Sequence, residues 1–131
     1  MKEFFLLIAI IFFHILEDFH LQGILASLKQ KDWWAEHYPD KLYKDDYVAA
    51  LIAHSFSWSF MVHLPGFVYM YIMNKQIPLL FLIISFIWHI IWHAITDNDK
   101  ANKHTISLVD DQLVHLIQII GIWVMFSTFA N

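Results

Sequence analysis

The chain has 131 residues, of which 59% are hydrophobic and 15% are charged, a more apolar balance than water-soluble domains usually show. It lacks cysteine, which excludes disulfides, thiolate metal sites and cysteine nucleophiles. The net charge is −4 and every basic residue is a lysine, so neither a nucleic-acid-binding patch nor an arginine fork for phosphate is expected. We therefore expect one membrane domain over residues 1–131 with no nucleic-acid partner.

Four segments are long and apolar enough to cross a bilayer as helices, which takes about 20 residues. They run from Phe4 to Leu25, from Tyr47 to Met73, from Leu79 to Thr96 and from Leu108 to Phe129. The first is similar to a signal peptide, but His14, Glu17 and Asp18 interrupt it and no small-residue cleavage site follows. The sequence thus predicts an all-α integral membrane bundle of four transmembrane helices.

The connections between these segments carry their own signals. In the second segment, Pro65 and Gly66 predict a kink or an early end of the helix. Asn74 and Pro78 predict a tight turn, so the second and third helices should be antiparallel. The polar stretch 29–46 carries four aromatic residues among charges and predicts an interfacial loop or a short helix lying on the membrane.

The lysines are distributed unevenly between the two sides of the predicted bundle. Most of them lie in the first and third loops, and only Lys2 and Lys75 lie on the opposite side. By the positive-inside rule, loops one and three should be cytoplasmic and both termini should be outside.

Seven side chains in the predicted helices have the chemistry of metal ligands. They lie toward the helix ends at loops one and three: His14, Asp18, His54, His93, Asp97, Asp111 and His115. Ionisable groups in hydrocarbon cost at least about 2.5–3.5 kcal/mol each on insertion scales, so they are functional candidates. Six of the seven form i, i+4 pairs, which place two side chains on one helix face. We interpret the seven as metal ligands; a proton or ion path and a polar packing network are the alternatives.

The ligand types predict the ions. Four imidazoles and three carboxylates suit Zn, Fe or Mn and exceed what one tetrahedral ion needs. We therefore expect two divalent ions bridged by carboxylate or hydroxide, with a near-neutral total charge. Asp18, Asp97 and Asp111 are the candidate catalytic groups, because a carboxylate can also accept a proton.

Three further residues are expected to support the ligands. Gln22 and Gln112 each lie beside a candidate ligand and are predicted to orient it by hydrogen bonding. His89 shares the face of His93 and Asp97 but lies one turn deeper, so it is predicted to orient the ligands or to pack against them.

Other polar residues have structural explanations. Ser107 and Asp110 are predicted to form a capping box before the fourth helix. Glu17 is assigned to the membrane interface or to pairing with a lysine. His63 is predicted to be an interior residue bonded to a backbone carbonyl, and Asp99 is predicted to lie in a loop.

Four motifs taken together resemble a known family. His14 to Gln22 (HILEDFHLQ), His54 within LIAH, His93 to Asp97 (HAITD) and Asp111 to His115 (DQLVH) resemble the small bacterial and phage membrane proteins grouped as DUF3307. The resemblance covers nearly the whole chain and implies this topology in a bacterial cytoplasmic membrane, without implying a reaction. The chain departs from the family pattern after Asp97, where Asn98, Asp99 and Lys100 are predicted to begin a polar loop.

The function expected from these features is a metal-dependent hydrolase. Two ions near the cytoplasmic face would activate a bridging water toward a lipid-linked or phosphoester-type substrate. An oxidative di-iron enzyme fits less well, because its usual Glu-x-x-His motif is absent from the sequence. The alternatives are a proton or divalent-metal transporter, acting as a homo-oligomer through a His/Asp lane, and a membrane interaction module whose metal is structural.

Overall fold

The computed structural model describes residues 1–130 as a helical bundle, with no strand in that range. Four of its helical segments are long and apolar enough to cross a membrane. The predicted all-α, four-helix class is therefore confirmed. Asn131, the last residue of the expected domain, lies outside the described residues.

Short helices connect the first two spans. In chain order the elements are α1 (Lys2–Leu16), a π-helical turn (Glu17–Leu21), α2 (Leu25–Leu28), α3 (Lys31–His37), a 3-10 turn (Lys41–Tyr43), α4 (Asp46–Ile72), α5 (Leu79–Ala101) and α6 (Leu108–Ala130). The predicted bounds are within about one residue for the second and fourth spans. The short helix expected in the polar stretch is present as α3.

The first span ends earlier than the predicted Leu25. At Glu17 the backbone widens from α-helical to π-helical, and the amide of Gln22 donates to the carbonyl of Glu17 at 3.1 Å. Gly23 follows with a φ of +50°, a left-handed conformation that glycine adopts without a Cβ penalty and that commonly ends helices. The first span thus ends in the π-helical turn, and residues 22–28 connect it to the polar stretch.

The second span continues through Pro65 and Gly66 to Ile72, so the predicted early end of this helix is wrong. Gly66 has a packing role, because a Cβ at this position would lie 2.2 Å from the ring of Phe126. The missing side chain therefore allows α6 to lie close against α4.

The third span is longer than predicted, since it continues beyond Thr96 to Ala101. Asp99 and Lys100 therefore lie on the helix, and their assignment to a loop is wrong, whereas Asp97 lies on the helix as its spacing to His93 predicted. The polar end remains helical because its carboxylates find cationic partners: both Asp97 and Asp99 pair with lysines.

The start of α6 matches the predicted capping box. The hydroxyl of Ser107 donates to Asp110 Oδ2 at 2.7 Å and accepts from the amide of Asp110 at 3.2 Å. The amide of Ser107 donates back to the same carboxylate at 3.0 Å. These bonds satisfy amide groups that the helix itself leaves without partners.

The bundle interior is apolar toward one end and polar toward the other. The apolar part is built from α1, α4 and α6 around Ile10, Val62, Ile122 and Phe126, all of which are fully buried. Large apolar side chains also cover much of the outside, including Phe12. Because polar side chains are enclosed while apolar ones face outward, the exterior suits a lipid bilayer.

Candidate metal centre

Six of the seven predicted ligands lie together at the end of the bundle where α5 ends and α6 begins. Each is at most 6% exposed, and together they form what we call the His/Asp cluster: Asp18, His54, His93, Asp97, Asp111 and His115. They form three overlapping groups, in each of which the ligand atoms lie within 4.8 Å of one another. Any two groups share one residue, so the cluster is continuous.

One part of the cluster surrounds the imidazole of His54. Its Nε2 atom lies 3.3 Å from Asp18 Oδ1, 3.3 Å from Asp97 Oδ2 and 3.2 Å from His93 Nε2. Ligand atoms at about 2.0–2.2 Å from a tetrahedral ion lie about 3.3–3.6 Å from each other. The observed spacing therefore fits side chains that share an ion.

The other part surrounds His115. Its Nε2 atom lies 3.4 Å from Asp111 Oδ1, 3.5 Å from Asp97 Oδ1 and 3.9 Å from Asp18 Oδ2. Two of these separations fall in the same range as those around His54. This half can hold an ion in the same way.

Asp18 and Asp97 face both imidazoles. In Asp18, Oδ1 faces His54 and Oδ2 faces His115, whereas in Asp97 the two oxygens are reversed. Each of these carboxylates therefore faces both halves of the cluster.

Several atoms of the cluster have no hydrogen-bond partner within residues 1–130. They include His115 Nε2 and the two oxygens nearest to it, Asp97 Oδ1 and Asp111 Oδ1. A buried polar atom without a partner costs about 1–3 kcal/mol. A cation held between these atoms would remove that cost, which is a physical reason for the arrangement.

Ring stacking fixes the orientation of the imidazoles. His93 stacks against both Trp58 and His115, with ring centroids 4.2 Å and 4.3 Å away and interplanar angles of 17° and 25°, and Trp58 and His115 are themselves 5.3 Å apart. All three rings are fully buried. This stack restricts the rotamers of two candidate ligands before any ion binds.

His14 lies beside the cluster and does not join its ligand groups. The indole Nε1–H of Trp58 donates to His14 Nδ1 at 2.9 Å, and His14 Nε2 lies 3.1 Å from Gln112 Oε1. Both ring nitrogens are therefore engaged by the protein. The structure places His14 as a support for the cluster, in contrast to the ligand role predicted from its spacing to Asp18.

Gln112 has the orienting position predicted for it. Its Nε2 donates to Asp18 Oδ2 at 3.1 Å and to Asp111 Oδ2 at 3.0 Å, while its Oε1 faces His14. Gln22 differs, because its side-chain amide donates to the backbone carbonyl of Asp18 and leaves the carboxylate untouched. Gln112 thus fixes ligand side chains, and Gln22 fixes the backbone of the π-helical turn.

His89 belongs to a second group, which we call the deep polar cluster. Its members are buried about one to two and a half turns beyond the His/Asp cluster: Ser59, His63, His89 and Gln118. His89 Nδ1 lies 2.7 Å from the carbonyl of Ser85, and the His63 and His89 rings are 5.2 Å apart. His63 has the backbone bond predicted for it, since its Nδ1 lies 2.7 Å from the Ser59 carbonyl. His89 therefore does not contact the predicted ligands as an orienting group.

Three charged residues at the site were not predicted from the sequence. Glu17 is 1% exposed, and its Oε2 lies 3.6 Å from His54 Nδ1, so its assignment to the interface is wrong. Lys29 Nζ lies 2.5 Å from Asp97 Oδ2. Lys100 Nζ lies 2.9 Å from Asp111 Oδ2. A helical extension of α5 would have indicated Lys100, whereas no local pattern indicates Lys29.

These residues change the charge balance of the site. Its buried carboxylates are Glu17, Asp18, Asp97 and Asp111. With two lysines and neutral imidazoles, the formal charge is −2. One divalent ion would neutralise it, whereas two would leave +2. Because uncompensated charge is costly in a low-dielectric bundle, a second ion requires an anion nearby.

Comparisons of the chain with protein-family models, with curated proteins and with solved structures find no match. The resemblance to DUF3307 therefore stays a prediction. The case for function rests on the geometry of the site.

Proposed function

We propose that the protein is a membrane-embedded, metal-dependent hydrolase that acts near the cytoplasmic face on a lipid-linked or phosphoester-type substrate. The observation that carries the proposal is the convergence of six buried ligand side chains at separations that fit shared ions. His115 Nε2 supports it, because it makes no hydrogen bond although Asp111 Oδ1 and Asp97 Oδ1 lie 3.4 Å and 3.5 Å away, and a cation between these three atoms would satisfy them all.

Two ions suit the cluster because its six ligand side chains exceed what one tetrahedral ion needs. His54 and His93 would help to hold one ion, Asp111 and His115 would help to hold the other, and Asp18 and Asp97 could contribute to both. Bound divalent ions would supply Lewis-acid activation of water and of a phosphoryl oxygen. Zn, Fe and Mn all accept this mixture of imidazole and carboxylate.

The chain's own groups would position the reactants and carry protons. In the hydrolysis of a phosphoester, a water oxygen bonds to phosphorus, the phosphorus–oxygen ester bond breaks, and the departing oxygen takes up a proton. Asp18, Asp97 and Asp111 lie where one of them can accept the proton that the attacking water loses. Gln112 keeps two of these carboxylates oriented.

Metal content tests the proposal first. Elemental analysis of detergent-purified protein should find divalent metal, and His54→Ala should lose it on dialysis because a ligand is gone. His63→Ala is the matched control, since both histidines are fully buried on α4 but only His54 belongs to the His/Asp cluster. Wild-type protein without metal, or equal metal in both variants, would contradict the proposal.

Activity is the second measurement. Metal-loaded protein should release p-nitrophenolate from p-nitrophenyl phosphate or its diester, and inorganic phosphate from phosphatidic acid in vesicles. Asp111→Asn should lower this rate, whereas Asp110→Asn should leave it unchanged because Asp110 only caps α6. Metal-loaded protein that is inactive on every probe would favour a structural metal.

One observation favours the alternative of a proton path. The deep polar cluster extends polar groups beyond the His/Asp cluster toward the other half of the bundle. However, His63 lies against the rings of Phe67, Phe86 and Phe126, where the apolar core begins. A continuous lane would need polar groups past this layer, so the hydrolase is the better account. Proton flux into liposomes, lost in His63→Ala, would reverse this preference.

A further inference from the structure

A polar pocket opens at the end of the bundle, next to the His/Asp cluster. It has a volume of about 350 Å³, and its polar lining comes from Gln22, Lys29, Gln30, Lys100 and His104. None of the described residues that line it is acidic. Lys29 and Lys100 are therefore its charged lining groups, and each also contacts a carboxylate of the His/Asp cluster.

The two lysines of the pocket connect it to the candidate metal ligands. Lys29 Nζ contacts Asp97 Oδ2 at 2.5 Å, and Lys100 Nζ contacts Asp111 Oδ2 at 2.9 Å. An ammonium group has three donors, so a lysine that meets one carboxylate can also donate to an anion in the pocket. An anion held there would lie one side chain away from the cluster.

The position of Lys29 is fixed by the end of α5. Asn102 Nδ2 donates to the Lys29 carbonyl at 3.1 Å, and the Lys31 amide donates to Asn102 Oδ1 at 2.7 Å. The Lys29 side chain is 10% exposed, so it is enclosed by protein. This clamp presents the ammonium group at a fixed place, which lowers the entropy lost when an anion binds.

The charge balance indicates what kind of anion fits. With two divalent ions, four buried carboxylates and two lysines, the site carries a formal charge of +2. A phosphomonoester dianion would neutralise this charge, as would a phosphodiester monoanion together with a hydroxide. A neutral ester or amide would leave the charge uncompensated in a low-dielectric environment.

We propose that this pocket binds the phosphoryl group of the substrate, with Lys29 and Lys100 as the residues that hold it. The inference rests on the proposed metal-dependent function and adds the charged group that is recognised. If ions were held by Asp97 and Asp111, the ammonium groups of the two lysines would be free to donate to the phosphoryl oxygens. In the metal-free protein the lysines thus neutralise the carboxylates, and in the metal-loaded protein they would bind the substrate.

Binding of inorganic phosphate to metal-loaded protein tests the inference by calorimetry. Lys29→Met with Lys100→Met should retain metal but bind phosphate at least about 10-fold more weakly, because charge-assisted hydrogen bonds are lost. Lys103→Met is the matched control: it removes the same charge, but Lys103 pairs with Asp99 outside the pocket lining. It should bind phosphate as tightly as wild type.

The outcomes separate the two proposals. Wild-type protein that holds no metal overturns the proposed function. If the metal-loaded protein binds phosphate equally well with and without the two lysines, only the phosphoryl site is overturned. If the double variant does not fold, Lys100→Met alone decides, because Lys100 is 34% exposed and tolerates the change. A several-fold loss of phosphate affinity in that variant supports the site, and unchanged affinity refutes it.

A second arm identifies the source of the phosphoryl group. The titration is repeated in nanodiscs of phosphatidylcholine with and without phosphatidic acid. Competition by phosphatidic acid assigns the pocket to a lipid headgroup, and its absence assigns the pocket to a soluble phosphate compound. Both results support the site, provided that Lys29→Met with Lys100→Met abolishes the binding.

Discussion

Substitution of Lys29 by methionine should destabilise the metal-free protein strongly and make its stability depend on metal. Lys29 and Asp97 form an ion pair at 2.5 Å, with side chains 10% and 2% exposed. Removing one partner of a buried pair leaves an uncompensated charge and costs about 3–5 kcal/mol. We expect this loss in the free energy of unfolding in the presence of a chelator.

Divalent metal should reverse the loss in Lys29→Met. A ligand that binds only the folded state adds about 4 kcal/mol at a concentration of about 1,000 times its dissociation constant. The gain should be larger in Lys29→Met than in wild type, because the ammonium group no longer competes with the ion for Asp97. The dissociation constant of the metal should therefore be lower in the variant.

The assay is unfolding in mixed micelles of rising SDS content, followed by tryptophan fluorescence, with chelator or with added metal. Lys103→Met is the control, since its pair with Asp99 is 57% and 29% exposed and should contribute about 0–1 kcal/mol. Equal stability of Lys29→Met and wild type in chelator would refute the buried pair. A loss that metal does not reverse would refute the exchange of lysine for ion at Asp97.

Three further substitutions test other contacts. Gln112→Ala should lower metal affinity by about 10–100-fold, because it removes hydrogen bonds to two candidate ligands, and competition with a metal-sensitive dye would measure this. Gly66→Ala should cost about 1–3 kcal/mol in the same unfolding assay, since its Cβ would meet Phe126, whereas Gly121→Ala, which has open space, should not destabilise. Trp58→Phe should weaken metal binding while the fold persists, because a smaller aromatic ring still fills most of the position but the indole hydrogen bond is lost; unchanged affinity would show that this bond does not support the cluster.

Much of the site follows from helical periodicity. His93 with Asp97 and Asp111 with His115 were predicted as pairs on one helix face, and both pairs enter the cluster. His54 was predicted from its depth alone and also joins it. Periodicity and depth predict these residues because the helices are long and apolar, and ionisable side chains in such helices are costly unless they face the bundle interior.

Helical periodicity and depth do not predict which side chains on other helices a residue will contact. His14 satisfies the same spacing rule, yet Trp58 and Gln112 take both of its nitrogens. The position of Lys29 depends on a loop that Asn102 clamps, and no sequence pattern encodes that contact. The position of Lys100 depends on α5 continuing through the polar residues 98–100, whereas a polar run after an apolar segment usually indicates the end of a helix.

The π-helical turn (Glu17–Leu21) absorbs a one-residue change in chain length before the site. Such a turn is equivalent to one residue inserted into an α-helix. Deleting Phe19, which faces outward at 52% exposure, should restore α-helical geometry and leave the later chain nearly in phase with α1, because five π-helical residues turn about as far as four α-helical ones. Lys29 would then keep its place beside Asp97. When this chain is aligned with distant relatives, a one-residue gap in this turn is therefore compatible with the same arrangement of the His/Asp cluster.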